Sequence, residues 1–181
     1  MYNFYIDWGY IKYKSFLSVD DTISKNGVFY KTGVIYESMY VLSYIINNYN
    51  VNNIYLCLDG IPVKQELINE EYKASRDHEK SNNYLLVDDV QLAYQYANIP
   101  FVNVAYSQYM EADETIKFLL DIEDKEDIVK VIYSKDHDLK QFIDNSKSIY
   151  LTDGLVNKSG NGYILQDNKY VEKNGVKGIK G

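Results

Sequence analysis

Cysteine is almost missing from this chain: Cys57 stands alone among 181 residues. A disulfide framework is therefore excluded, and the lone thiol, set inside an apolar run, reads as a buried group in a reducing cytoplasm. Histidine is nearly as scarce, with only His78 and His137, so no His/Cys cluster points to zinc. No apolar run is long enough to span a bilayer and no secretory signal opens the chain, which sets the expectation of a cytoplasmic protein with no membrane partner. Proline falls to two residues while tyrosine reaches 20, a pattern of codon bias in an AT-rich genome rather than of function. Cations are also short: 19 Lys and Arg face 26 Asp and Glu, for a net charge of -7. That balance argues against a protein that coats nucleic acid, because phosphate contacts need cations. The sign misleads if the carboxylates are gathered in one metal site, since two divalent ions would bring the total to about -3.

What is present is a globular composition, 46% hydrophobic, in a length that suits one domain with a real core. Residues 2–6 read as a strand ending at Asp7; Trp8-Gly9 breaks it, and an amphipathic helix with Lys12 and Lys14 follows. Residues 20–33, polar and holding Gly27 and Gly33, read as a loop or hairpin. Tyr36, Met39, Tyr40, Leu42, Ile45, Ile46 and Tyr49 are spaced as the apolar side of a helix, stopped by the asparagines from Asn47 to Asn53. Ile54–Leu58 is a continuous apolar run ended by Asp59-Gly60, which predicts a parallel central strand buried on both faces. Residues 64–80 are highly charged. Val87–Ala97 predicts a helix, Ile99–Val104 a strand around Pro100, and Glu111 the start of an acidic helix with Ile116, Leu119 and Leu120 on its apolar side. Ile128–Tyr133 is a third clear strand, a helix begins near Leu139, and Ser148–Leu151 is a last short strand. Strands alternating with helices predict an α/β fold with a central, mainly parallel sheet flanked by helices. The expected division is a catalytic domain over 1–153 and a Gly/Asn/Lys-rich tail over 154–181.

The chemistry sits in the carboxylates. Glu111-Ala112-Asp113-Glu114 puts three of them in one helical turn, more than the helix dipole calls for. Asp7, Asp59, Asp136 and Asp138 each follow a predicted strand, and in an open parallel sheet sites form at those C-terminal edges. Carboxylates gathered there repel one another and have raised pKa values. Hard divalent cations with oxygen ligands, Mg²⁺ or Mn²⁺, relieve the repulsion. Two such ions, about 3.5–4 Å apart, are an apparatus for phosphodiester hydrolysis. Structural readings stand beside this one: Asp7 as a turn residue, Asp59-Gly60 as a common turn pair, Asp136 as a helix N-cap with a solvated neighbour. His137 reads as turned away from its acidic neighbours and His78 as solvated. The joint arrangement is what chance explains least.

Taken together, Ile6-Asp7, Leu58-Asp59-Gly60-Ile61-Pro62, Tyr72-Lys73-Ala74-Ser75-Arg76, Glu111-Ala112-Asp113-Glu114 and Ser134-Lys135-Asp136-His137-Asp138-Leu139 resemble the 5'-nuclease superfamily. That group holds flap endonucleases, phage 5'-3' exonucleases and the 5'-nuclease domains of bacterial DNA polymerase I. The order and spacing match over residues 2–151. The resemblance implies a PIN-like three-layer fold and a divalent-metal-dependent 5'-3' exonuclease or flap endonuclease. Its partners would be DNA with 5' ends or flaps, or an RNA-DNA hybrid, in a bacterial or phage-infected cell. It implies Asp7, Asp59, Glu111 and Asp113 as ligands of a first Mg²⁺ or Mn²⁺, and Asp136 and Asp138 as ligands of a second. Glu114, one methylene longer than the Asp usual there, would bind through water. Lys73 and Arg76 match the basic residues that contact the scissile phosphate, Lys14 and Lys64 would be further phosphate contacts, and Tyr72 would stack on a base or pack.

The same family continues into a helix-three-turn-helix module that grips duplex. Residues 175–181 resemble its glycine-rich opening, while Lys169–Lys173 and Val176–Ile179 around Asn174-Gly175 also read as a β-hairpin. Duplex binding would then fall to a partner or a separate chain. Two other functions stand beside the leading one: a PIN-type ribonuclease without an arch, and a truncated, non-catalytic nucleic-acid-binding module.

Overall fold

A computed structural model describes residues 1–15, 22–25, 28–60, 86–123, 127–154, 161–166 and 169–174. Strand β1 (Tyr2–Asp7) runs into helix α1 (Trp8–Ser15), then a hairpin of β2 (Thr22–Lys25) and β3 (Val28–Lys31), then α2 (Thr32–Asn48) and β4 (Val51–Leu58). Helix α3 (Leu86–Tyr96), β5 (Val102–Tyr106), α4 (Ala112–Ile122) and β6 (Val129–Tyr133) follow. Two 3-10 turns, Asp138–Phe142 and Asn145–Lys147, lead to β7 (Ile149–Thr152), β8 (Asn161–Gln166) and β9 (Lys169–Asn174).

Seven strands form one sheet in the order β5-β4-β1-β6-β7-β8-β9. The first five are parallel, and β8 and β9 extend the edge antiparallel. Side chains alternate across β1, so its two faces feed two cores. Phe4 and Ile6 pack with Ile54, Leu56 and Leu58 of β4, with Trp8 and Ile11 of α1, Val41, Leu42 and Ile45 of α2, and Leu92, Ala93 and Tyr96 of α3. Tyr5 faces the other way, onto Cys57, Ala112, Ile116 and Leu120 of α4, Ile132, Leu139 and Leu151. Helices thus cover both faces, giving the three-layer α/β arrangement. Burying each large apolar side chain contributes about 1.5–3 kcal/mol.

The chain steps outward from β1 to β4 to β5, then crosses to β6 on the far side of β1. The strand order therefore reverses between β1 and β6, and the C-terminal ends of such strands frame the crevice where open α/β sheets bind ligands.

Several elements depart from the sequence reading. Helix α2 begins at Thr32, and Tyr36, Met39 and Tyr40 are exposed at 61%, 44% and 41%. Leu42 and Ile45 are buried as expected, but the rest of its inner side is Val34, Glu37, Ser38 and Val41. Two polar residues are admitted there because each has partners. Lys14 Nζ lies 2.6 Å from Glu37 Oε1, and Ser38 Oγ bonds Val34 O at 2.6 Å and Tyr96 Oη at 2.8 Å. Helix α2 ends at Asn48 among the asparagines expected to stop it, and strand β4 starts at Val51, so it takes in Asn52 and Asn53, whose amides join a ladder with Asn3 and Asn103. Strand β5 starts only at Val102, because Phe101 has φ 71 and Val102 N–H closes a turn on Ile99 O at 3.1 Å. The element at Leu139 is a single 3-10 turn rather than a helix, and β7 is not the last strand. The described partner of β9 is β8; residues 175–181 lie outside the described residues. Among the described residues no helix is long and apolar enough to cross a membrane.

Candidate active site

Asp7 is the last residue of β1, and the chain turns at once into α1. Its Oδ1 accepts the Tyr10 N–H at 3.3 Å, from the first turn of α1, where unpaired amides and the helix dipole both favour an anion. Its Oδ2 accepts the Ser134 hydroxyl at 2.7 Å. Ser134 is fully buried just beyond β6, and its Oγ in turn accepts the Asp136 N–H at 3.0 Å. Asp136 Oδ1 accepts the Asp138 N–H at 2.9 Å, which starts the 3-10 turn. The segment after β6 is thereby tied to the end of β1.

Asp59 directly follows β4, and its Oδ1 accepts the Ala112 N–H at 2.9 Å. That bond brings the start of α4, with Glu111 and Asp113 on either side of Ala112, against the end of β4. Asp7 and Asp59 flank the same point: a Cβ placed on Gly9 would stand 3.1 Å from Asp7 Oδ1 and 3.4 Å from Asp59 Oδ2. At Gly60 a Cβ would fall 2.0 Å from Ser107 O, so only glycine fits where the β5–α4 loop closes on the end of β4. Glu111 is the buried N-cap of α4. Glu114 Oε2 accepts the Glu111 N–H at 3.2 Å, and Asp113 Oδ1 accepts the Glu114 N–H at 2.7 Å.

The electrostatics follow from this crowding. Burial raises the Asp7 carboxyl first, and Asp59 and Asp136 add repulsion. The Ser134 and Tyr10 hydrogen bonds offset part of it, leaving the pKa raised to about 6. Asp7, Asp59 and Asp136 are therefore electrostatic neighbours, although they come from strands far apart in sequence.

Asp113, Glu114 and Asp138 are held in local hydrogen bonds of their own helix or turn. Among the described residues no group of three or more His, Cys, Asp or Glu side chains converges closely enough to hold a metal ion. Their oxygens are turned to backbone amides: Asp59 to Ala112, Asp136 to Asp138, Glu114 to Glu111. His137 is exposed at the start of the 3-10 turn. Lys14 is engaged between Glu37 and the Tyr133 hydroxyl, to which it donates at 2.7 Å, with the Tyr133 ring 5.5 Å away. Lys64, Tyr72, Lys73, Arg76 and His78 lie outside the described residues.

Sequence reasoning gave no role to Ser134, which joins Asp7 to the Asp136 segment, or to the Tyr10 amide. The signal for Ser134 was its place: a small hydroxyl at the end of a strand, two residues before an aspartate.

A comparison with curated proteins found no match. The model of the 5'-3' exonuclease N-terminal, resolvase-like domain matches residues 3–175, from β1 to just past β9. With that match spanning nearly all of the chain and the carboxylates set where its strands end, the protein belongs to the 5'-3' exonuclease N-terminal domain family.

Proposed function

We propose that the chain hydrolyses phosphodiester bonds at the 5' ends or flaps of DNA, or of RNA-DNA hybrids, with divalent cations held at the C-terminal edge of the sheet. The observation that carries this is the juxtaposition of Asp7 and Asp59 over Gly9, with Asp136 close enough to raise the Asp7 carboxyl. An all-oxygen, like-charged donor set fits Mg²⁺ or Mn²⁺, because a hard cation removes the repulsion these groups otherwise bear. Asp7, Asp59, Glu111 and Asp113 would hold one ion and Asp136 and Asp138 a second, with Glu114 acting through water. What such ions supply when bound is a water of lowered pKa and a stabilised leaving oxygen.

The protein's own groups do the rest. The Ser134 hydroxyl keeps Asp7 Oδ2 directed and ties the Asp136 segment to it. The Ala112 amide fixes Asp59 and so sets α4 against the site. Lys73 and Arg76 would neutralise the scissile phosphate as charge develops, Lys64 would contact a further phosphate and Tyr72 would stack on a base. Lys14, already tied to Glu37 and Tyr133, would reach a phosphate only by leaving that pair.

A second reading is a nucleic-acid-binding module without catalysis. It is favoured by one observation, that among the described residues no three candidate ligands converge. Parallel assays on 5'-flap DNA and single-stranded RNA, with and without Mg²⁺, decide between them. Flap cleavage that requires Mg²⁺ and is lost in Asp59→Asn supports hydrolysis; flap binding with no cleavage of either substrate supports the module.

A further inference from the structure

The loop between β5 and α4 carries two tyrosines that the site has not yet used. Tyr106 ends β5 in register with Leu58, the residue before Asp59, and is 37% exposed. Tyr109 follows in the loop and is 60% exposed. The backbone that carries Tyr109 is anchored on both sides to the Asp59-Gly60 step. Gly60 N–H donates to Met110 O at 2.7 Å, and Ser107 O and Gln108 O crowd the position a Gly60 Cβ would take. Within the loop, Met110 N–H closes on Ser107 O and Tyr109 N–H on Ser107 Oγ, both at 3.4 Å. Past it, Ala112 N–H reaches Asp59 Oδ1 at 2.9 Å.

A large ring in solvent on a backbone so fixed leaves little loop freedom to be lost on binding, and this favours a stacked ligand. Charge argues for the same ligand. In a chain of net charge -7, a neutral π-face holds nucleic acid without adding to the demand for cations. Stacking on an aromatic ring tolerates every base, as a nuclease that reads ends rather than sequence requires.

We propose that Tyr109, on the loop that begins at Tyr106, is a stacking platform for an unpaired base of the nucleic-acid substrate, close to the Asp59-Gly60 step. This rests on the nuclease reading of the site. The test uses the full chain and a DNA hairpin with an unpaired 5' arm carrying 2-aminopurine. Binding by the wild type should quench the fluorescence; Tyr109→Ala should lose the quench and Tyr109→Phe should restore it. Tyr94→Ala removes a comparably exposed tyrosine on α3 and should leave the quench unchanged. With Mg²⁺ present, Tyr109→Ala should raise KM roughly tenfold, with a smaller effect on kcat. An equal quench in Tyr109→Ala and wild type overturns the platform, as does a loss that Tyr109→Phe fails to restore. A tyrosine-dependent quench without cleavage by the wild type overturns the hydrolytic reading and leaves the platform standing.

Discussion

Strand β1 and helix α4 both run from one edge of the sheet to the other, and their two ends treat carboxylates in opposite ways. At the far end, Glu123 just past α4 accepts the Asn3 amide at 2.7 Å, and Asn3 accepts the Asn52 amide at 2.9 Å. There the acid accepts from a side-chain amide that is itself paired with a second amide. At the near end, burial first and then the Asp59 and Asp136 charges raise the Asp7 pKa to about 6, although Ser134 and Tyr10 donate to it. Evolution of a stable fold alone would favour the first solution at both ends, since unpaired buried charge destabilises. The difference separates a cluster closed by hydrogen bonds from the edge at which we propose that a cation binds.

The largest break in that comparison should come from Asp59→Asn and Asp136→Asn. Each keeps an oxygen acceptor for its amide partner and removes a charge, so Mg²⁺-dependent flap cleavage should fall to background while the circular dichroism spectrum stays that of the wild type. Gly60→Ala should follow. Its Cβ would meet Ser107 O at 2.0 Å, so the β5–α4 loop must shift at a cost of about 3 kcal/mol, read as a lower midpoint in urea unfolding. At the closed end, Asn3→Ala leaves Glu123 and Asn52 without their partner and should destabilise by about 2 kcal/mol, with cleavage at the wild-type rate.

The smallest and most diagnostic effect concerns pH. The Asp7 carboxyl moves from 3.8 to about 6 on folding, so between those values the folded state binds more protons than the unfolded one. Stability contributed at this position is therefore lost as pH rises through about 6 and is regained as pH falls toward 3.8. Asp7→Asn should melt above the wild type at pH 8, in the absence of divalent ions, and the gap should close as the pH is lowered through that window. A gap that is constant with pH would place the repulsion elsewhere.

Much of the sheet could be read in advance. Ile54–Leu58 and Ile128–Tyr133 are buried on both faces, and strands of that kind leave continuous apolar runs. The gathering of Asp7, Asp59 and Asp136 at one edge follows from the same logic, because a parallel sheet brings all its strand ends to one side. What stayed hidden depends on pairing rather than on pattern. Glu37 is buried because Lys14 meets it, while Tyr36 and Tyr40 stack on each other in solvent at 6.0 Å, and neither fact leaves a trace in spacing along α2. Strand β8 was not read in advance, and β9, whose span Lys169–Lys173 was, pairs antiparallel with β8 at the sheet edge. At the site, the Ser134 link between Asp7 and Asp136 is a hydroxyl contact across 127 residues of sequence, and only the sheet order brings it about.

The claim at the centre is that the near edge of the sheet is a cation site. A crystal of the protein soaked in Mn²⁺ tests it by anomalous scattering. The account predicts manganese peaks within coordination distance of Asp7 and Asp59, with a second peak beside Asp136. Peaks confined to other acidic surfaces, with the Asp7 and Asp59 carboxylates left bare at saturating manganese, would contradict it.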